Sequence, residues 1–137
     1  MRVFFDTNIL IYLFDDSASA KRERALELYR DAALHDAIVM SAQILNEFFT
    51  VALRNPVRTM SIEAAERAVR NFAKFPLVSL DAELTLKAIE RVKKSQLNFW
   101  DALVIEAALR GGADVLYSED MHHGMDFDGV RLVNPFV

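Results

Sequence analysis

A chain of 137 residues that is 53% hydrophobic, with only 4 glycines and 3 prolines, has the composition of one globular domain and excludes a disordered or low-complexity segment. It contains no cysteine, which excludes a disulfide framework and thiolate metal sites and points to a reducing, cytoplasmic compartment. The formal charge of −4, from 20 Asp and Glu against 16 Lys and Arg, excludes a global basic footprint, so any nucleic-acid contact has to be local.

The first residues lack the basic, apolar and small-residue sequence of a secretory signal, and charges interrupt every apolar run before the ~20 residues of a membrane helix. The expectation is a single soluble domain over 1–137. In chain order, Arg2 to Phe5 predicts a strand and Asn8 to Phe14 a short helix, with a polar break at Asp15 to Ser19. Ala25, Leu28, Tyr29 and Ala32 recur at helical spacing within Ala20 to Leu34. Ala37 to Met40 is a short apolar run, after which Ser41 caps a helix to about Arg54, stopped by Asn55-Pro56. Ser61 caps a helix ending near Phe75, Leu77 to Leu80 predicts a strand, and Asp81 opens a helix over Ala82 to Lys94. Leu97 to Arg110 is a further helix closed by Gly111-Gly112. Val115 to Ser118 and Val130 to Val133 are the last strands.

Short apolar strands alternating with helices predict an α/β domain, a mainly parallel sheet of four or five strands with helices on both faces. Ligands of such sheets bind beyond the carboxyl ends of the strands. Asp6 ends the first strand, and Asp120 follows the strand in "VLYSED". Glu47 shares an apolar helical stripe with Ile44 and Val51, as Asp101 does with Leu97, Val104 and Ala108.

Singly, Asp6 and Asp101 have an ordinary reading as helix caps and Asp120 as a turn acid. Four acids converging on one edge repel one another, and burying an unpaired carboxylate is costly. A bound divalent cation resolves that conflict. All-oxygen ligation favours Mg²⁺ or Mn²⁺, with Asn8 and Ser118 orienting carboxylates or water, and supports metal-assisted phosphodiester hydrolysis.

The blocks "DTNILIYL" (Asp6 to Leu13), "SAQILNEFF" (Ser41 to Phe49), "NFWDALVIEAA" (Asn98 to Ala108), "LYSEDMHHG" (Leu116 to Gly124) and "VNPF" span the chain in order. Together they resemble the PIN-domain family, particularly VapC-type toxins of toxin–antitoxin pairs. The resemblance implies a Rossmann-like sheet and a Mg²⁺- or Mn²⁺-dependent endoribonuclease. It makes Asp6, Glu47, Asp101 and Asp120 the catalytic metal ligands, with Asn8 and Ser118 as polar companions. It further implies a homodimer neutralised by a small cognate antitoxin of the VapB type. Many members have Thr where this chain has Ser118 and lack an acid at Glu119, so Glu119 competes with Asp120 for the fourth ligand position. A ribonuclease of RNA processing outside a toxin system, or a catalytically inactive binding module, stays open as an alternative.

Other residues carry weaker signals. Arg54 and Arg58, after the Glu47 helix, are the preferred RNA contacts among cations that include Lys21, Arg22, Arg24, Arg91, Lys93 and Lys94. His122 and His123 read as a solvated loop. Phe99 and Trp100 read as core or dimer contacts rather than base-stacking residues. Asp15, Asp16, Asp81 and Glu106 stay outside the ligand set. A dehalogenase-type phosphatase needs an Asp at the position of Asn8, and a receiver-type module needs a Lys near Ser118 to Asp120, where the sequence supplies none.

Overall fold

Val3 to Phe5 is buried at every position, as a strand covered on both faces must be. In a computed structural model of the chain, which describes residues 1–54 and 60–137, this strand β1 lies inside the sheet. The expected helix stop at Asn55-Pro56 and the expected RNA contact Arg58 lie outside the described residues.

The elements follow in the order β1 (Val3–Phe5), α1 (Thr7–Tyr12), α2 (Ser19–Leu34), β2 (Ile38–Ser41), α3 (Ala42–Ala52), α4 (Ile62–Phe72), β3 (Leu77–Val78), α5 (Ala82–Lys94), α6 (Phe99–Arg110), β4 (Val115–Tyr117), β5 (Asp126–Phe127) and β6 (Val130–Val133). Caps set most of the helix starts. Ser41, Ser61 and Asp81 accept hydrogen bonds from the N–H groups of Ile44, Ala64 and Leu84, as their sequence positions predict. Asn98 caps α6 by accepting from Asp101 N–H, which trims the expected start at Leu97 by two residues.

The sheet order is β3-β2-β1-β4-β6-β5. Pairs β1–β2, β1–β4, β2–β3 and β4–β6 are parallel, giving the five parallel strands the sequence predicts. The sixth strand, β5, is antiparallel to β6 and was not expected. It exists because Asp128-Gly129, with φ of 54° and 103°, forms the two-residue turn that joins antiparallel strands without splaying them.

Strand order dictates where the helices lie. The crossovers from β1 to β2 and from β2 to β3 step one way across the sheet, whereas the one from β3 to β4 returns past β1. Right-handed connections therefore put α1 to α4 on one face and α5 and α6 on the other. Phe4, Phe5, Ile38, Met40, Leu116 and Leu132 are fully buried between these layers. Gly112 takes the left-handed conformation after α6 (φ +74°), while Gly111 is a matter of packing: a Cβ there would lie 2.4 Å from Val39 Cγ1. The reversal of strand order falls between β1 and β4, and at such a switch point the carboxyl ends of the strands leave a crevice.

Candidate functional site

The crevice is occupied by carboxylates. A cleft of about 900 Å³ is lined by Asp6 from the end of β1, Glu47 from α3, Asp101 from α6 and Asp120 from the loop after β4. Four acids far apart in sequence thus reach one cavity from four different elements. Asn8 and Arg54 line it as well, while Ser118 lies buried behind Asp6.

Asp6 is fixed by its own helix. Its Oδ1 accepts from Thr7 N–H at 2.8 Å as the cap of α1, and its Oδ2 accepts from Ser118 Oγ at 2.8 Å. The residue is only 7% exposed. Burial pushes its carboxyl up to about 6, against these two hydrogen bonds and with the help of the Glu47 and Asp101 charges. Cap and candidate ligand are compatible roles here, since α1 begins at the strand end where the cleft opens.

Neutral donors hold Glu47. Thr7 Oγ1 donates to Oε2 and Gln43 Nε2 to Oε1, each at 2.9 Å. Gln43 is buried and also reaches the Trp100 carbonyl at 3.3 Å, tying α3 to α6. Burial likewise raises the Asp101 carboxyl; a hydrogen bond from Asn98 Nδ2 at 2.9 Å opposes the shift, and the charges of Asp120 and Glu47 reinforce it. Asp120 accepts from Asn8 Nδ2 at 2.8 Å, and its N–H donates to Ser118 Oγ at 3.2 Å.

Glu119 points elsewhere. It accepts from the Tyr12 hydroxyl at 2.7 Å and pairs with Lys21, whose ammonium also lies 5.1 Å from the Tyr12 ring centroid. Partial burial works against its ionisation, yet the bonds from Lys21 and Tyr12 hold its carboxyl below the usual range. An acid already neutralised in this way has no need of a metal.

The other sequence candidates separate as follows. Lys21 pairs with Glu119, Arg91 with Glu106 and Asp128, and Lys93 with Glu90, leaving Arg54 as the candidate cation that lines the cleft among the described residues. His122 and His123 are exposed, and His123 Nδ1 accepts from Asn134 N–H at 3.0 Å. Asp81 caps α5 and binds Arg110 at 2.9 Å. Phe99 packs against the core as expected, but Trp100 does not: it stands on the cleft wall. Sequence reasoning missed Gln43 and Asn98. Gln43 lies one helical turn before Glu47, and Asn98 three residues before Asp101 in capping-box spacing, so both carried a usable signal.

Fit to a cation can be judged from these atoms. The donor set is all hard oxygen, and Asp6 is a buried carboxyl with no cationic partner among the described residues. The Asn8 Oδ1 and Gln43 Oε1 atoms are buried without hydrogen-bond partners. Among the described residues no three acids or histidines are already gathered into a coordination cluster. The oxygen chemistry of these residues suits a hard divalent ion.

Known structures share this architecture. A toxin–antitoxin complex from Klebsiella pneumoniae superposes with a TM-score of 0.68 at 20% identity, covering 97% of each chain. A Mycobacterium tuberculosis VapC toxin described as cleaving the sarcin–ricin loop gives 0.64 at 19% identity, over 83% of this chain and 86% of that one. DNA-bound VapBC from Salmonella typhimurium gives 0.66 at 16% identity and 96% coverage of both. At such identities the likeness speaks to the fold, and no curated protein sequence matches. The family model for the PIN domain matches residues 3–125, from β1 through the acid-bearing loop to the start of β5, and by that match the chain belongs to the PIN-domain family.

Proposed function

We propose that this protein is a divalent-metal-dependent endoribonuclease and the toxin of a VapBC-type toxin–antitoxin pair, with Asp6, Glu47, Asp101 and Asp120 holding Mg²⁺ or Mn²⁺. The observation that carries the reading is the convergence of four acids from four elements on the cleft at the switch point. Family membership supports nuclease chemistry, and similar folds occur in structures described as toxin–antitoxin complexes.

A bound divalent ion supplies Lewis acidity, lowering the pKa of an attacking water and offsetting charge on the phosphodiester. The chain's residues prepare the site for it. Thr7 and Gln43 aim both Glu47 oxygens, and Asn8 steadies Asp120. Ser118 joins Asp6 to the Asp120 backbone, linking the two acids of the switch point through one hydroxyl. Arg54 supplies positive charge on a wall otherwise dominated by acids, where a substrate phosphate can pair.

Among the described residues no helix is long and apolar enough to cross a membrane, and the reading places the protein in the cytoplasm as a homodimer silenced by a small antitoxin. Incubation of purified protein with transfer and ribosomal RNA in Mn²⁺ or Mg²⁺ tests the activity. Cleavage that is abolished by EDTA and by Asp6→Asn is expected. Absence of cleavage on every RNA, or cleavage surviving both treatments, overturns the reading.

A further inference from the structure

Trp100 is the only tryptophan in the chain, and its side chain has every energetic reason to be buried. It is instead 62% exposed, on the wall of the acid-lined cleft and next in sequence to Asp101. Phe99, itself packed against the core, meets it edge-on with centroids 5.3 Å apart and planes at 73°. Its carbonyl accepts from Gln43, the residue that also holds Glu47, so the backbone carrying the indole is tied to the acid framework.

We propose that Trp100 is a stacking platform for an unpaired nucleobase of the RNA substrate, seating the nucleotide beside the bond to be cut. The inference rests on the ribonuclease reading. The cleft's lining selects this occupant. With the carboxylates given over to a cation, the apolar part of the wall around Trp100 suits a neutral group, and a nucleobase brings a π face that an indole can take. The phosphates flanking that base can turn to Arg54 on the same cleft. Proteins that hold single-stranded nucleic acid combine these elements, an aromatic platform and a cationic track, and the platform tolerates any base. Ile11, Val51 and Val104 continue the apolar wall of the cleft.

The lone tryptophan is also its own reporter. The test takes the shortest RNA hairpin that the wild type cleaves, together with versions in which single loop positions are made abasic. Trp100→Ala is expected to raise KM roughly ten- to hundredfold, in line with the loss of one base–aromatic stack, and Trp100→Phe to recover most of it. One abasic position should cost the wild type as much as Trp100→Ala does and cost the Trp100→Ala protein nothing further. In a cleavage-silent Asp6→Asn chain, the intact hairpin should quench tryptophan fluorescence and the abasic one should not.

Unchanged KM in Trp100→Ala, with equal sensitivity to abasic positions, overturns the stacking role while leaving the nuclease standing. Unchanged KM accompanied by a halved mass in sedimentation assigns the ring to a contact between copies and also overturns it. Failure of the wild type to cut any RNA is the separate result that overturns the ribonuclease reading.

Discussion

Ser118 Oγ donates to Asp6 Oδ2 at 2.8 Å and accepts from the Asp120 N–H at 3.2 Å, so a single hydroxyl with no solvent exposure couples the two acids of the switch point. Its removal leaves Asp6 with one fewer donor in a buried site and frees the backbone at Asp120. Ser118→Ala is expected to cost roughly 1–3 kcal/mol in denaturant unfolding and to lower cleavage about tenfold or more. Loss of stability with full cleavage per folded molecule would make Ser118 a structural hydroxyl only.

The raised Asp6 carboxyl has a consequence for stability without metal. Its ordinary value of 3.8 applies to the unfolded chain, and burial pushes the folded value up to about 6. The folded protein therefore holds the proton more tightly. Stability from the protonated form is complete below about pH 4 and drains away as the pH rises through about 6, leaving an ionised Asp6 that costs on the order of 3 kcal/mol. Metal-free Asp6→Asn should melt above wild type near pH ~7.5, with the difference vanishing near pH ~4. Equal melting at the higher pH would show that Asp6 carries no such penalty.

On the opposite face, Arg91 Nε donates to Glu106 Oε2 at 2.6 Å and Arg91 Nη2 to Asp128 Oδ2 at 2.8 Å, joining α5, α6 and the β5–β6 turn. The pair is largely sequestered, with side-chain exposures of 16% and 10% for Arg91 and Glu106. Arg91→Ala leaves Glu106 charged and unpartnered and should destabilise by about 3 kcal/mol, whereas Arg91→Met combined with Glu106→Leu should recover much of the loss. Cleavage per folded molecule should be unaffected in both. A double variant as unstable as Arg91→Ala would mean that the lost packing of Arg91, rather than the stranded charge, dominates.

That ion pair also shows what sequence could and could not reveal. Glu106 stood off the Asp101 stripe and lies with Arg91 rather than in the cleft lining, but nothing in its spacing named Arg91, 15 residues away on another helix. Strand ends singled out Asp6 and Asp120, and helical phase singled out Glu47 and Asp101, since an acid on an apolar stripe interrupts the helical pattern. The partners of those acids split by locality. Gln43 and Asn98 lie within one turn of the residue they serve, while the Asn8–Asp120 and Ser118–Asp6 bonds each span 112 residues and depend on the strand order. β5 was overlooked although Asp128-Gly129 is a strong hairpin signal, because two residues are too few to show alternation. Trp100 is different: an apolar helix start predicted a ring in the core or at a dimer contact, and only the three-dimensional position of α6 shows it outside the core, on the cleft wall.

Glu119 and Asp120 are adjacent in sequence and opposite in circumstance. Glu119 is engaged by Lys21 and the Tyr12 hydroxyl, whereas the Asp120 carboxylate accepts from the neutral amide of Asn8 and lines the cleft with the other acids. Binding to the folded state alone raises the melting temperature, so millimolar Mn²⁺ reads out which acid contributes to a metal site. The wild type should gain a clear upward shift. Asp120→Asn and Asp101→Asn should lose most of it, while Glu119→Gln should keep it, even though that variant starts from a different metal-free melting point. Glu119→Gln is the decisive member of the set, because it removes a charge beside the site at a residue that does not itself line the cleft. Were its Mn²⁺ shift abolished and that of Asp120→Asn retained, the fourth ligand would be Glu119, and the Lys21 pair would have to open for metal to bind.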